Sequence, residues 1–287
     1  MHRTLLARTL RGIEDVAADE IRALGARDVT LGHREVRFAA APEDALRLRT
    51  VDDVLDVLLD VQPVGPHRTG LRTLAALAAS LDVRADDVTA SFLGRRNYSR
   101  FEIEETVAAA VRGGPPVSLR VHLTDERTTF AARLAPAPLH RRAYRVVSRP
   151  FALHPPLAAA LVRLAAPPGG ATLGDPFCGT GTIAIEAKLA RPDLRVVASD
   201  ADPEALRATA ANARTAGVVL ELGGGAKADV VVTNPPWAEP VLWSPAGRAV
   251  VLLDERREPP RGATVLERRW VRVRGRPAVC WTLEGRR

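Results

Sequence analysis

Asp175-Pro176-Phe177-Cys178-Gly179-Thr180-Gly181-Thr182 is the stretch on which the reading of this chain turns. It follows the apolar Ala171-Thr172-Leu173 and opens a run in which Ile183, Ile185, Ala187 and Leu189 read as a helix. Strand, glycine turn and helix in that order bring backbone N–H groups close to a ligand, because glycine puts no Cβ in the way. A tight turn without a ligand would use the same glycines, so its meaning depends on its neighbours. The next apolar strand, Arg195-Val196-Val197-Ala198-Ser199, ends in Asp200. A carboxylate there can accept hydrogen bonds from both hydroxyls of a ribose. Asp202, just before Pro203, is placed instead to cap a helix.

A second stretch, Thr233-Asn234-Pro235-Pro236-Trp237, closes the apolar strand Val230-Val231-Val232. Open α/β sheets carry their chemistry at the carboxyl ends of strands, so two such ends form one site. An exocyclic amine has its lone pair delocalised into its ring and must be made nucleophilic by acceptors. The Asn234 side-chain oxygen and the Pro235 backbone oxygen can each take an N–H of such an amine and aim its lone pair. Pro235 and Pro236 stiffen that backbone. Trp237 offers a ring face to a flat target, a contact worth roughly 1–3 kcal/mol per base. Alone, the tetrapeptide would read as a strand-ending turn with a core tryptophan.

Together these stretches resemble the class I, Rossmann-like RNA methyltransferases that carry an N-terminal THUMP module and make N2-methylguanine in tRNA. Asp175 to Thr182 is similar to their S-adenosylmethionine loop, Ser199-Asp200 to their ribose-binding strand end, and Asn234 to Trp237 to their catalytic motif. Leu139-His140-Arg141-Arg142-Ala143-Tyr144-Arg145 resembles their linker, and Leu153-His154-Pro155-Pro156-Leu157-Ala158 the segment before their first strand. The resemblance implies a Rossmann-like methyltransferase domain behind ferredoxin-like and THUMP α+β modules. It implies S-adenosylmethionine held by Asp175, Pro176, Phe177, Gly179, Thr180, Gly181, Thr182 and Asp200. Asn234, Pro235, Pro236 and Trp237 are the implied catalytic residues.

Composition bounds the partners. The 287 residues carry a formal charge of +7, and only Lys188 and Lys227 are lysines. Residues 1–60 hold 9 Arg against 12 acids, whereas residues 61–150 hold 14 Arg against 8, so the middle of the chain carries the positive charge. Between 133 and 149, Arg133, Arg141, Arg142, Arg145 and Arg149 occur with no acid, as suits a phosphate-binding surface. The two cysteines, Cys178 and Cys280, and the six separated histidines show no metal-ligand spacing, so no metal is expected. No apolar run reaches the roughly 20 residues of a membrane helix, and the first residues are too short in apolar core for a signal peptide. A cytoplasmic protein that does not bind membranes is the expectation.

Along the chain the expected order is a ferredoxin-like unit (1–62), a THUMP module (63–135), a basic linker (136–150) and the methyltransferase domain (151–287). The first unit reads as strand, helix, hairpin, then a helix from Pro42 through Leu59 whose Asp52, Asp53, Asp56 and Asp60 form a solvated face. The second reads as helix, strand, helix and hairpin, with Gly94-Arg95-Arg96-Asn97-Tyr98-Ser99-Arg100 as a basic loop bearing a stackable ring. Arg95, Arg96, Arg100, Arg141, Arg142 and Arg145 are the expected RNA contacts.

The connections after Asp200 are short. Only 34 positions separate it from Asn234, too few for another helix, and Gly223-Gly224-Gly225-Ala226-Lys227 stands where the resembled family carries an acidic adenine-recognition loop. After Trp237 comes Ala238-Glu239-Pro240 and then almost at once the next strand. Two helices over the sheet are therefore expected to be absent, and a homodimer partner, an accessory protein or RNA is expected to cover it. The leading functional reading is N2-methylation of a guanosine in tRNA. Ribosomal RNA is the nearest rival substrate, and an RNA-binding protein with a decayed site is the alternative from another class.

Overall fold

Two seven-stranded sheets organise the computed structural model, which describes residues 2–224, 227–237 and 247–285. The first sheet is built from β1 (Arg3–Arg8), α1 (Glu14–Ala23), β2 (Arg27–Gly32), β3 (Glu35–Ala40), the single turn α2 (Pro42–Ala45) and β4 (Asp53–Val61). It continues through α3 (Thr69–Ala79), β5 (Arg84–Phe92), α4 (Arg100–Ala110), β6 (Pro116–Leu123) and β7 (Thr128–Arg133). Its order is β2-β3-β1-β4-β7-β6-β5, antiparallel except where β5 lies parallel to β6. The helices α1, α3 and α4 share one face: α1 packs over Leu5, Phe38 and Val54, and α3 and α4 pack over Leu119, Val121 and Phe130.

The expected helix from Pro42 through Leu59 is corrected by the structure. One helical turn forms, and Asp53–Val61 becomes the central strand that joins both α+β units into one sheet. Val51, Val54, Val57 and Val61 are β-branched and favour a pleated surface, and Val54 and Leu55 are buried on opposite faces. The aspartates are not a solvated face. Asp53 accepts from Arg133 Nε at 2.6 Å, and Asp60 accepts from Arg127 Nη1 at 2.6 Å and Thr129 Oγ1 at 2.7 Å.

The second sheet is built from α5 (Pro155–Ala165), β8 (Thr172–Asp175), α6 (Thr182–Ala190), β9 (Arg195–Ala198), α7 (Pro203–Ala216), β10 (Glu221–Leu222), β11 (Val230–Thr233), β12 (Arg248–Asp254), β13 (Ala263–Val273) and β14 (Arg276–Gly285). Its order is β10-β9-β8-β11-β12-β14-β13. The first five strands run parallel, and the antiparallel β13–β14 hairpin closes the edge. This is the Rossmann-like arrangement expected from the alternating strands and helices, with the order reversing at β8 and β11.

The helices α5, α6 and α7 all contribute to the core on one face of this sheet. On the other face Ala249, Val251, Leu253, Val279, Trp281 and Leu283 form a separate cluster, and among the described residues no helix packs there. The short connections noted in the sequence fall partly on residues 225–226 and 238–246, outside the described residues. Among the described residues no helix is long and apolar enough to cross a membrane.

The two sheets are clamped together. Ile13 and Val16, at the start of α1, belong to the same buried cluster as Leu157, Leu161 and Val271 of the second half. Gly12 lies so close to β13 that a Cβ on it would sit 2.0 Å from the Trp270 carbonyl oxygen. Deeper in, Glu186 of α6 has no exposed surface and accepts three hydrogen bonds: from Arg49 Nε at 2.6 Å, Arg142 Nε at 3.0 Å and Tyr144 Oη at 2.9 Å. Arg142 also donates to the Arg49 carbonyl oxygen at 2.6 Å and to that of Leu139. Arg49 before β4, Arg142 and Tyr144 before α5, and α6 thus meet on one carboxylate.

Removing one partner of a buried ion pair strands the others, at a cost of about 3–5 kcal/mol. Glu186→Ala is therefore expected to lower the free energy of unfolding by that order, read as a lower urea midpoint, and to open residues 136–150 to proteolysis. An unchanged midpoint would show that the clamp contributes nothing.

Candidate functional site

The site begins with the register of two neighbouring strands. β8 and β11 run side by side, Leu173 opposite Val230 and Gly174 opposite Val231, so their carboxyl ends emerge together. Thr233 Oγ1 donates to Asp175 Oδ1 at 2.7 Å inside the protein, fastening the start of the glycine turn to the residue before Asn234. Phe177 N–H donates to the same oxygen at 3.3 Å. Oδ2 of Asp175 is buried without a partner. Burial, with a smaller contribution from Asp200, pushes the Asp175 carboxyl up to about 7.

The turn after Asp175 has the shape its glycines promise. Gly179 and Gly181 have φ of +57° and +78°, and Gly181 is the N-terminal cap of α6. A Cβ on Gly181 would lie 2.7 Å from the Thr209 side chain. Thr180 and Thr182 are buried, whereas Phe177 is partly exposed and Pro176 half-buried. Gly179 N–H donates to Asp200 Oδ2 at 2.9 Å and Asp202 N–H to Oδ1 at 3.0 Å. Each Asp200 oxygen keeps a second lone pair, enough for a ribose diol. Asp202 caps α7 by accepting from Glu204 N–H at 2.8 Å, with Pro203 in the first turn, as its position in the sequence suggests.

At the neighbouring strand end, Asn234 to Trp237 folds back on itself. The Trp237 indole N–H donates to Asn234 Oδ1 at 3.0 Å, which leaves that oxygen one lone pair. The Arg276 guanidinium lies 5.3 Å from the centre of the Trp237 ring, and Arg257 Nε donates to the Trp237 carbonyl at 3.1 Å. Pro235 is buried and Pro236 exposed. The asparagine and tryptophan are thus held in a fixed mutual orientation.

Both cysteines are buried, and burial pushes the Cys178 and Cys280 thiols up to about 12, which disfavours the thiolate that a nucleophile needs. The fold gathers Asp52, His140 and His154, whose nearest polar atoms lie within 4.8 Å of one another. His154 Nε2 stands 2.6 Å from Asp52 Oδ1, a hydrogen-bond separation shorter than two ligands of one tetrahedral ion allow.

The expected RNA-contacting arginines divide. Arg95, Arg100 and Arg141 are exposed. Arg95 lines a cleft of about 250 Å³ with Pro63 to Pro66, Thr124 and Asp125, and Arg100 stacks on the exposed Phe101 at 4.5 Å. Arg145 is half-buried, its Nε without a partner. Arg96 is committed to the protein, donating to Val64 O at 2.7 Å and Tyr98 Oη at 2.9 Å. Tyr98, read from the sequence as a stackable loop ring, is core, buried and bonded to the Gly65 carbonyl. Arg142 is corrected most clearly, because the Glu186 clamp uses its guanidinium.

Thr209 and Asn212 have no assigned role in the sequence reading. Thr209 Oγ1 donates to the Gly179 carbonyl at 3.1 Å, and Asn212 reaches the Thr180 carbonyl at 3.0 Å. Their spacing on α7 matches an amphipathic helix, and nothing in one sequence marks a buried threonine or asparagine as a support for a turn thirty residues earlier.

Residues 142–247 match the RMKL-like methyltransferase domain, and residues 4–52 match the RlmL ferredoxin-like domain. A ribosomal RNA large subunit methyltransferase K/L from Syntrophotalea carbinolica is 25% identical over 80% of this chain and 43% of its own length. The chain spans less than half of such K/L relatives. A tRNA (guanine(6)-N2)-methyltransferase from Thermus thermophilus is 31% identical over 70% of this chain and 66% of its own. The crystal structure of TrmN from Thermus thermophilus superposes over 100% of both chains with a TM-score of 0.82 at 24% identity. That likeness extends the shared fold to the whole chain. With the joined strand ends at its centre, residues 142–247 of this chain are similar to the RMKL-like methyltransferase domain, and residues 4–52 to the RlmL-type ferredoxin-like domain.

Proposed function

We propose that this protein transfers a methyl group from S-adenosylmethionine to the exocyclic N2 of a guanosine in tRNA. The observation that supports this best is the Thr233–Asp175 hydrogen bond, which sets the glycine turn and the Asn-Pro-Pro-Trp segment side by side. The relatives named as methyltransferases of tRNA guanine N2 and of large-subunit ribosomal RNA support the same class of reaction. The relative named as a tRNA (guanine(6)-N2)-methyltransferase, 31% identical, favours tRNA, and the K/L relatives keep ribosomal RNA as the second reading. In this reading residues 63–135 form a THUMP module, residues 136–150 the basic linker and residues 151–287 the methyltransferase domain.

S-adenosylmethionine is the cofactor of a class I methyltransferase domain and supplies a methyl group on a positively charged sulfur. The residues present fit it. Asp200 offers two oxygens to a ribose, the positive-φ glycines leave the turn open, and the unpartnered Asp175 Oδ2 suits a cationic ligand. Asn234 Oδ1, already fixed by the indole N–H, accepts one amine hydrogen, and the Pro235 carbonyl accepts the other. This orients the amine lone pair and increases its nucleophilicity. Trp237, braced by Arg276, supplies a ring against the base. The exposed Arg95, Arg100 and Arg141 hold the phosphate backbone.

Incubation with labelled S-adenosylmethionine and either unmodified tRNA or ribosomal RNA tests the reading. Label in tRNA only, recovered as N2-methylguanosine, is expected; label in neither RNA overturns it. Asn234→Ala should lower turnover by about 10²-fold or more, as loss of one fixed polar group at a reacting atom does, with RNA binding retained. Arg141→Ala should weaken tRNA binding and flatten its logarithmic salt dependence by about one unit, whereas an unchanged slope would remove Arg141 from the RNA surface.

Asp175 gives a pH test. Its folded pKa of about 7 exceeds its ordinary 3.8, so the ligand-free folded protein binds this proton more tightly than the unfolded chain. The associated stability is present below 3.8 and is lost as pH rises through 7. Asp175→Asn should therefore gain stability relative to the parent between pH 4 and 8, read as a growing difference in melting temperature. A difference that shrinks with pH would mean that Asp175 is charged and paired.

A further inference from the structure

Asn212, on α7, is fully buried, and its amide ties two segments that are distant in sequence. Its Oδ1 accepts from Val147 N–H at 2.9 Å, and its Nδ2 donates to Val147 O at 2.9 Å and to Thr180 O at 3.0 Å. The orientation of the amide is dictated by its partners, because a backbone donor faces one end and two carbonyls face the other. On one side is the middle of the basic linker, between Arg145 and Arg149. On the other is the glycine turn, which α7 also grips through Thr209.

We infer that Asn212 is a positioning residue that couples RNA engagement at the linker to the geometry of the cofactor turn. The inference rests on the methyltransferase reading. Val147 also lines a solvent-facing cleft of about 430 Å³ between the linker and α7, together with Arg149, Glu204, Arg207 and Ala208. Arg149 and Arg207 are paired there with Asp202 and Glu204 at the surface, and such pairs exchange readily for phosphate contacts. A nucleic-acid backbone drawn onto this cleft bears on the linker where Asn212 holds it. A shift of Val147 must move the Asn212 amide or break bonds that leave buried polar groups unpaired, and the same amide carries the Thr180 carbonyl. Linker and turn therefore move as one body.

The consequence is a mutual dependence of two affinities. Calorimetry of S-adenosylhomocysteine binding to the full chain, with and without saturating unmodified tRNA, measures it. In the parent protein tRNA should tighten S-adenosylhomocysteine about tenfold, within the usual range of such couplings. Asn212→Ala should weaken binding of the nucleoside alone and bring the ratio to within about twofold, with tRNA affinity little changed. Val147→Pro, which removes one of the two linker bonds to Asn212 and leaves the Thr180 bond, should keep the affinity without RNA and reduce the coupling; it serves if Asn212→Ala does not fold.

A parent protein that binds both ligands without coupling, or a folded variant that keeps the full ratio, overturns the inference and leaves the methyltransferase reading standing. A parent protein that does not bind S-adenosylhomocysteine overturns both.

Discussion

A carboxylate removed from water must be matched by donors, and Glu186 is matched by groups from two distant stretches of the chain. Arg49 comes from the segment between α2 and β4, Arg142 and Tyr144 from the linker, and Glu186 from the helix that the glycine turn opens. Leaving any one of these groups buried and unpaired is expensive, so the docked arrangement is specific to having all of them in place. The Asp52–His154 hydrogen bond and the apolar contact of Ile13 and Val16 with α5 and β13 act in the same sense. The consequence is a fixed geometry between the sheet that carries the exposed arginines and the sheet that carries the strand-end site.

Within the second sheet, the parallel pairing of β8 with β11 brings the site together. Parallel neighbours end on the same side, so two motifs more than fifty residues apart emerge next to each other. Thr233 then converts adjacency into a bond. Among the described residues it is satisfied by Asp175, and Asp175 pairs one oxygen and leaves the other open. An acid kept partly unsatisfied in the interior is unfavourable for the ligand-free protein, and such groups concentrate where a ligand completes them.

Charge is distributed differently in the two halves. On the helix-free face of the first sheet, arginines and acids are interleaved: Arg8 with Glu35, Arg133 with Asp53, and Arg120 with Asp87. These pairs lie between strands, and the first two are largely shielded from solvent, so they fix register rather than attract a partner. On the linker and in the loop before α4, Arg141 and Arg95 stay exposed. Arginine content alone therefore overstates the RNA-facing surface, and Arg96 and Arg142 are the instances where the protein itself is the partner.

The sequence by itself determined the local chemistry: the glycine turn, the carboxylate ending β9, the helix cap at Asp202, the Asn-Pro-Pro-Trp segment and the order of strands and helices in the second half. Each depends on residues adjacent in the chain, where conformational preference and spacing act directly. Tertiary structure decided the rest. Asp52 to Asp60 reads as a helical acidic face because a four-residue spacing of acids fits one, yet the valines between them are drawn into a sheet whose other strands supply the matching arginines. Whether an arginine faces RNA or a buried glutamate, and whether Tyr98 stacks on a base or packs in the core, depends on partners tens of residues away. Those partners are brought near only by folding, so the type of each side chain was legible in the sequence and its partner was not.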